Sequence, residues 1–474
     1  MPAKQVLLLG CTLFVCPSGR AQEYLPAIPA GHPAIQYFQG PLDDPVTRLA
    51  KLLQSGSVKL VSRGDASGYL ASLLEHLGIK IDSQALVFSK TSFQAPTISP
   101  SNPRAIYFSD DVAVGYVRGG EGFEVAGTDP KRGTVFYTFN IDKSGAPSLT
   151  RRDVCLKCHQ GPATLGVPGA FVGSVFPSPL GVPQRDGAII TDQRTPFKDR
   201  WGGWYVNAKR GEQLDRANAV ASNPAEPEVL DTDARQQNLI NLIGRFTPAG
   251  YLSTVSDIVA LMTFEHQTQM INYFTRVGWE ARIIQHATQH DAQTDDPTPL
   301  QLAADIEVLV TYMLFVDEVP LKEPIEGVSS FTKTFPERGP RDSKGRSLRD
   351  FDLQKRLFRY PLSYLIYSAQ FDALPDQIRD RIYQRLYDIL TGNREVRKFA
   401  NLSADDRRSI LEILRDTKPS LPAYWLAKPL SRTISAVSSS ARENRSNIKS
   451  ISSSLMISGG QNAIVSPRGR MMRP

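Results

Sequence analysis

Hydrophobic positions change period twice along the chain. Over 44–56 and 67–78 they recur every three to four residues, and Ala50, Leu52 and Leu53, then Leu70, Leu73 and Leu74, mark the buried faces of two helices. From 85 to 139 the runs shorten and become rich in β-branched and aromatic residues. Segments 105–108, 112–117 and 134–139 read as strands, separated by Ser-Asn-Pro, Gly119-Gly120 and Asp129-Pro130 turns. A Gly- and Pro-rich stretch at 161–183 reads as a loop. Beyond Arg200 helical spacing returns, most clearly from 253 or 256 to about 276, then at 300–316, 353–369, 375–390 and 404–415. Aromatic residues dense between Phe351 and Tyr387 read as core packing in that helical layer. The pattern predicts an α+β chain, predominantly α: a helical body with a small antiparallel β-rich segment ahead of the loop.

The ends differ from this body. Lys4 precedes an apolar run at 6–15 too short to span a bilayer, and Gly19 and Ala21 supply small residues for cleavage, the layout of an export signal over 1–21. Leu8-Leu9-Gly10-Cys11 loosely resembles a lipoprotein signal, which makes lipid attachment at Cys11 the lesser variant. Residues 430–474 hold twelve Ser and seven Lys or Arg against one acid, with no sustained period, and read as a disordered basic tail able to touch an anionic surface. The net charge of +7 therefore belongs to the ends, since residues 22–429 sum to −1. The body carries no nucleic-acid footprint. Nothing after the signal approaches the ~20 apolar residues of a membrane span. The resulting division is 1–21 signal, 22–145 helices with the β-rich segment, 146–299 the cysteine-bearing region with the long helix, 300–429 helical, and 430–474 tail.

Cleavage after Ala21 would discard Cys11 and Cys16 and leave Cys155 and Cys158 in the run Val154-Cys155-Leu156-Lys157-Cys158-His159-Gln160-Gly161. This is C-x-x-C-H, the attachment signature of c-type haem. Two thiols at this spacing add across the two vinyl groups of one haem, and the adjacent imidazole ligates the iron from below. Cys155, Cys158 and His159 are therefore the expected cofactor-binding residues, with His159 as proximal ligand. Three other readings are weaker. A thioredoxin-type dithiol needs the pair to open a helix within a βαβ unit, whereas Gln160-Gly161-Pro162 breaks regular structure. Zinc needs further ligands nearby, and the next His is His266. A disulfide between residues three apart closes almost no loop.

Through 155–169 the sequence resembles the c-type cytochromes. More loosely, about 39–425 resembles bacterial cytochrome c domain-containing proteins, on the phrases Ile106-Tyr107-Phe108-Ser109-Asp110-Asp111, Trp201-Gly202-Gly203-Trp204-Tyr205-Val206, Glu265-His266-Gln267 and Gly345-Arg346-Ser347-Leu348-Arg349-Asp350-Phe351-Asp352-Leu353. The resemblance implies haem and a redox role without supplying a reaction. The chain departs from small cytochromes c, which place a Met ligand some tens of residues after the motif: here the first Met after His159 is Met262.

On the long helix Met262, His266 and Met270 are spaced i, i+4, i+8 and share a face, so His266 leads as distal ligand, with Met262 and Met270 ranked below it. An open or water-bound sixth position, or His286 or His290, are the remaining options. The adjacent carboxylates Asp110/Asp111 and Asp295/Asp296 do not form a catalytic pair, because neighbours on a strand face opposite ways. No phosphate-binding Gly spacing or Gly-x-Ser-x-Gly elbow is present. The expectation is an exported monohaem cytochrome c passing single electrons between redox partner proteins. The alternatives are a peroxidase-type enzyme or small-gas sensor with an open distal side, or a haem module on a larger binding body.

Overall fold

The computed structural model describes residues 25–65, 67–141, 146–230, 238–290, 298–392 and 397–426. The expected signal, Cys11, the pair Asp295/Asp296 and the basic tail lie outside them. No helix among the described residues is long and apolar enough to cross a membrane.

A seven-stranded antiparallel sheet organises the first half. Its strands are β1 (Ala85–Val87), β2 (Arg104–Phe108), β3 (Val112–Tyr116), β4 (Phe123–Asp129), β5 (Gly133–Ile141), β6 (Pro147–Arg151) and β9 (Trp204–Tyr205), in the order β6-β5-β4-β3-β2-β1-β9. A separate hairpin pairs β7 (Val172–Ser174) with β8 (Ile189–Thr191). This corrects the predominantly helical reading: the β part is a full sheet, and it is closed by a strand that follows the cysteine motif. The two terminal neighbours escaped the pattern because β1 and β9 are three and two residues long, too short to show a period.

The β4–β5 turn shows why the centre was easier to read. Asp129 accepts from the backbone N–H of Lys131 (2.9 Å) and Arg132 (2.8 Å), and Gly133 then takes a positive φ of 78°. Along β5, Val135, Tyr137 and Phe139 face one side, where they join a core with α1 (Pro45–Gln54) and α2 (Leu70–His76). Asp44 caps α1 by accepting from the N–H of Val46 and Thr47, and it also accepts from the Tyr137 hydroxyl (2.5 Å), so one carboxylate starts the helix and docks it on the sheet.

The second half is built round one helix. After α3 (Leu156–His159) comes α4 (Ile258–His290), 33 residues long and buried on all sides from Ile258 to Ala281. Against it pack α5 (Pro299–Met313), α6 (Phe331–Glu337), α7 (Ala369–Asp372) and strand β5, while α8 (Asp376–Thr391) packs on α5, α9 (Ala404–Thr417) packs on α8, and α10 (Ala423–Leu426) adds Trp425 to the same core. The described residues form one compact unit, and its main core draws on Ala85, Leu165, Leu302 and Trp425 alike.

No helix forms over 353–363. Asp352 accepts from the N–H of Gln354 (2.9 Å) and Lys355 (2.7 Å), Leu353 has φ 55°, and Phe351 bridges back to Phe358. The helix-like spacing arises because the aromatics of this loop turn inward. Phe335, Phe351 and Phe358 pack with centroids 5.3–6.0 Å apart.

Candidate haem attachment site

The motif hangs from the edge strand β6. Arg152 donates its N–H to the Phe136 carbonyl (2.8 Å), and the chain then enters a 3-10 turn at Asp153–Cys155 and the single turn α3. Leu156 packs towards the sheet-side core, which leaves Val154 exposed. Cys155 is half-buried, Cys158 is exposed, and both are free thiols. Burial, and secondarily Glu124, push the Cys155 thiol above its ordinary range.

His159 is held at both its backbone and its ring. Its Nδ1 lies 2.9 Å from the Gly169 carbonyl oxygen, while Gly169 donates its own N–H to the His159 carbonyl (2.9 Å). A carbonyl only accepts, so the ring proton sits on Nδ1 and the lone pair on Nε2. Burial holds His159 below the usual imidazole range, opposed chiefly by that Gly169 bond, and the ring is neutral at pH 7. Phe136 and Phe171 flank it, with centroids 4.7 and 5.6 Å away. Across the same sheet, Arg104 reaches over Gly115 to Glu124 (2.5 Å); a Cβ at Gly115 would stand 2.5 Å from the Arg104 guanidinium.

The loop after the motif is fastened to α4. Asn272 donates to the Ala170 carbonyl (2.9 Å), and Arg276 donates to those of Leu165 (2.9 Å) and Pro26 (3.0 Å). Arg276 is itself buried, and its charge is met by Glu280 (2.8 Å) and Asp305 (3.3 Å). A Cβ on Gly169 would fall 2.0 Å from Asn272 Oδ1, so with the Asn272 amide in this position the loop accepts only glycine here. Gly166 has φ 74°, and the Pro26 carbonyl stands 2.4 Å from where its Cβ would be. Neither Asn272 nor Arg276 stood out in the sequence. The buried helix carries many other polar residues, Glu265, Gln267, Gln269 and Glu280 among them, so nothing in the sequence set these two apart.

These residues fit a covalently attached haem. Two unpaired thiols stand one helical turn apart with one open to solvent, the following imidazole has no hydrogen bond at Nε2 among the described residues, and its proton-bearing nitrogen is fixed by a backbone carbonyl, as metal-bound histidines characteristically are.

The expected distal residues stand elsewhere. His266 is fully buried. Its Nδ1 donates to Gln193 Oε1 (2.6 Å) and its Nε2 accepts from Ser363 Oγ (2.8 Å). The ring stacks on Tyr312 (5.4 Å, planes 4° apart) and Phe315 (4.4 Å), and burial lowers its pKa to about 3. Met262 and Met270 lie in the same core. The stripe exists, as the spacing implied, but His266 and the loop-facing Asn272 are six residues apart and leave the helix about 120° from one another. The structure therefore brings Cys155, Cys158 and His159 together and does not bring His266 to them. His286 and His290 lie at the far end of α4. Asp110 is engaged by Arg349 and Arg338, in keeping with a structural role.

Compared with known protein families, curated proteins and solved structures, the chain matches none.

Proposed function

We propose that this chain is an exported monohaem cytochrome c that carries single electrons between redox partner proteins. Haem would be bound through Cys155 and Cys158, with His159 Nε2 as the proximal donor. The observation that carries this reading is the His159–Gly169 pair, which gives the last residue of the C-x-x-C-H run the tautomer and fixed orientation of an iron ligand. Bound there, haem would supply a one-electron Fe(III)/Fe(II) couple. The chain's own part is to hold the imidazole neutral, to fasten the loop through Asn272 and Arg276, and to keep the attachment thiols near the surface, within reach of a partner.

One observation favours a second reading, a peroxidase-type enzyme or gas sensor with an open sixth position: both ring nitrogens of His266 are already hydrogen-bonded, and Met262 and Met270 are packed in the core. Absorption spectra taken ferric, ferrous and ferrous with carbon monoxide separate the two. A low-spin iron that ignores carbon monoxide supports the carrier, and an iron that takes it up at once supports the second reading. No haem spectrum from a host able to attach haem c would sink both.

A further inference from the structure

The exposed end of α4 and the N-terminal segment bring three of the chain's six histidines together, far from the motif in sequence and unused by the function above. His286 and His290 are i, i+4, and their rings stack with centroids 4.1 Å apart and planes 21° apart. His32 meets His286 edge-on at 5.6 Å.

The hydrogen bonds sort these rings. His290 Nδ1 donates to the His286 carbonyl (2.8 Å), so its proton is on Nδ1 and Nε2 carries the lone pair. This is the same arrangement that prepares His159. The His286 ring has no hydrogen-bond partner among the described residues, so either nitrogen is available. His32 differs: its Nδ1 accepts from the Ala34 N–H (3.1 Å), which places its own proton on Nε2 and takes it out of the donor set. Its edge restricts the His286 ring instead.

We infer that His286 and His290 form a two-imidazole chelate for a borderline divalent transition ion (Cu2+, Ni2+ or Zn2+), with solvent completing the coordination. Three features support it. Neutral imidazole nitrogens select these ions over Ca2+ and Mg2+, which want oxygen. Helical i, i+4 spacing lets two rings converge on one ion once they turn out of their stacked arrangement, a rotation about side-chain torsions at a partly exposed helix end. The backbone bond to His290 is the outer contact that orients a ligating ring. Among the described residues no three His, Cys, Asp or Glu side chains are grouped to hold an ion, so the site rests on these two imidazoles alone.

The test is a calorimetric titration of the full chain with Ni2+ at neutral pH. Cys155 and Cys158 are first committed to haem or alkylated, since free thiols take the same ions. One ion should bind per chain. His286→Ala and His290→Ala should each weaken binding by at least about tenfold, the lower end of what losing even an outer contact costs. Because both rings sit at a partly exposed helix end, the variants keep the fold, which circular dichroism checks. His32→Phe, which retains the ring edge without the nitrogens, and His76→Ala should bind as the parent does. Absence of Ni2+ binding, unchanged binding in His286→Ala or His290→Ala, or loss of binding in His32→Phe would each overturn the assignment.

Discussion

His159 and Gly169 are bonded twice: the ring of the histidine donates to the glycine carbonyl, and the glycine N–H donates to the histidine carbonyl, each at 2.9 Å. Ten residues of Gly- and Pro-rich loop are thereby closed onto the motif. The ring orientation becomes a property of the loop, and the loop a property of α4.

A first prediction follows at Gly169. A methyl group there meets Asn272 Oδ1 at 2.0 Å, so Gly169→Ala must displace the buried Asn272 amide from its bond to Ala170, or else the loop or the helix, at about 1–3 kcal/mol of stability. Adding Asn272→Ala opens the space and should recover part of the loss, although the bond to Ala170 goes with it. Urea unfolding of the two variants checks this. Equal stability of Gly169→Ala and the parent would mean that the contact is looser than described.

Arg276 should be the costliest single change near the site. Arg276→Met abandons the Leu165 and Pro26 carbonyls and leaves Glu280 and Asp305 buried without their cation, a loss of about 3–5 kcal/mol. Combining it with Glu280→Gln should be milder than the sum of the two single changes. Additivity in that cycle would contradict the coupling.

His266 sets a pH dependence. Burial lowers its pKa from 6.5 to about 3. Between these values the unfolded chain binds the proton and the folded one does not. Its contribution is therefore complete above pH 6.5 and is lost as pH falls towards 3, at no more than about 1.4 kcal/mol per pH unit. His266→Gln should flatten this acid limb while lowering stability at neutral pH through lost ring packing. An unchanged slope in that variant would show that other groups set the limb.

How far the sequence led differs by element. The hairpin strands announced themselves because Val135, Tyr137 and Phe139 alternate with partners on the other face, and α1, α8 and α9 because each is half-buried and therefore amphipathic. The long helix was under-read at its end. Its burial runs on through Ala281, and only beyond that does it come out towards solvent, where the polar residues up to His290 read as a separate solvated helix end and not as the last turns of the same helix. Over 353–363 the error went the other way, since inward-facing aromatics mimic helical spacing whatever the backbone does. At the site, Cys155, Cys158 and His159 were singled out by spacing alone, and the proposed haem rests on that spacing, because two thiols and an imidazole in that order have few other uses. The distal ligand was not legible. A shared helix face states which residues stand together, and which way that face points is decided by Gln193, Ser363 and Tyr312, contributed by distant segments.

Covalent haem at Cys155 and Cys158 stands or falls on whether haem absorbance stays with the denatured polypeptide. Protein matured in a host able to attach haem c is denatured and extracted with acidified acetone, beside a Cys155→Ala/Cys158→Ala variant. Colour should stay with the parent chain and be removed from the variant. A colourless parent, or a variant that keeps its haem, would contradict it.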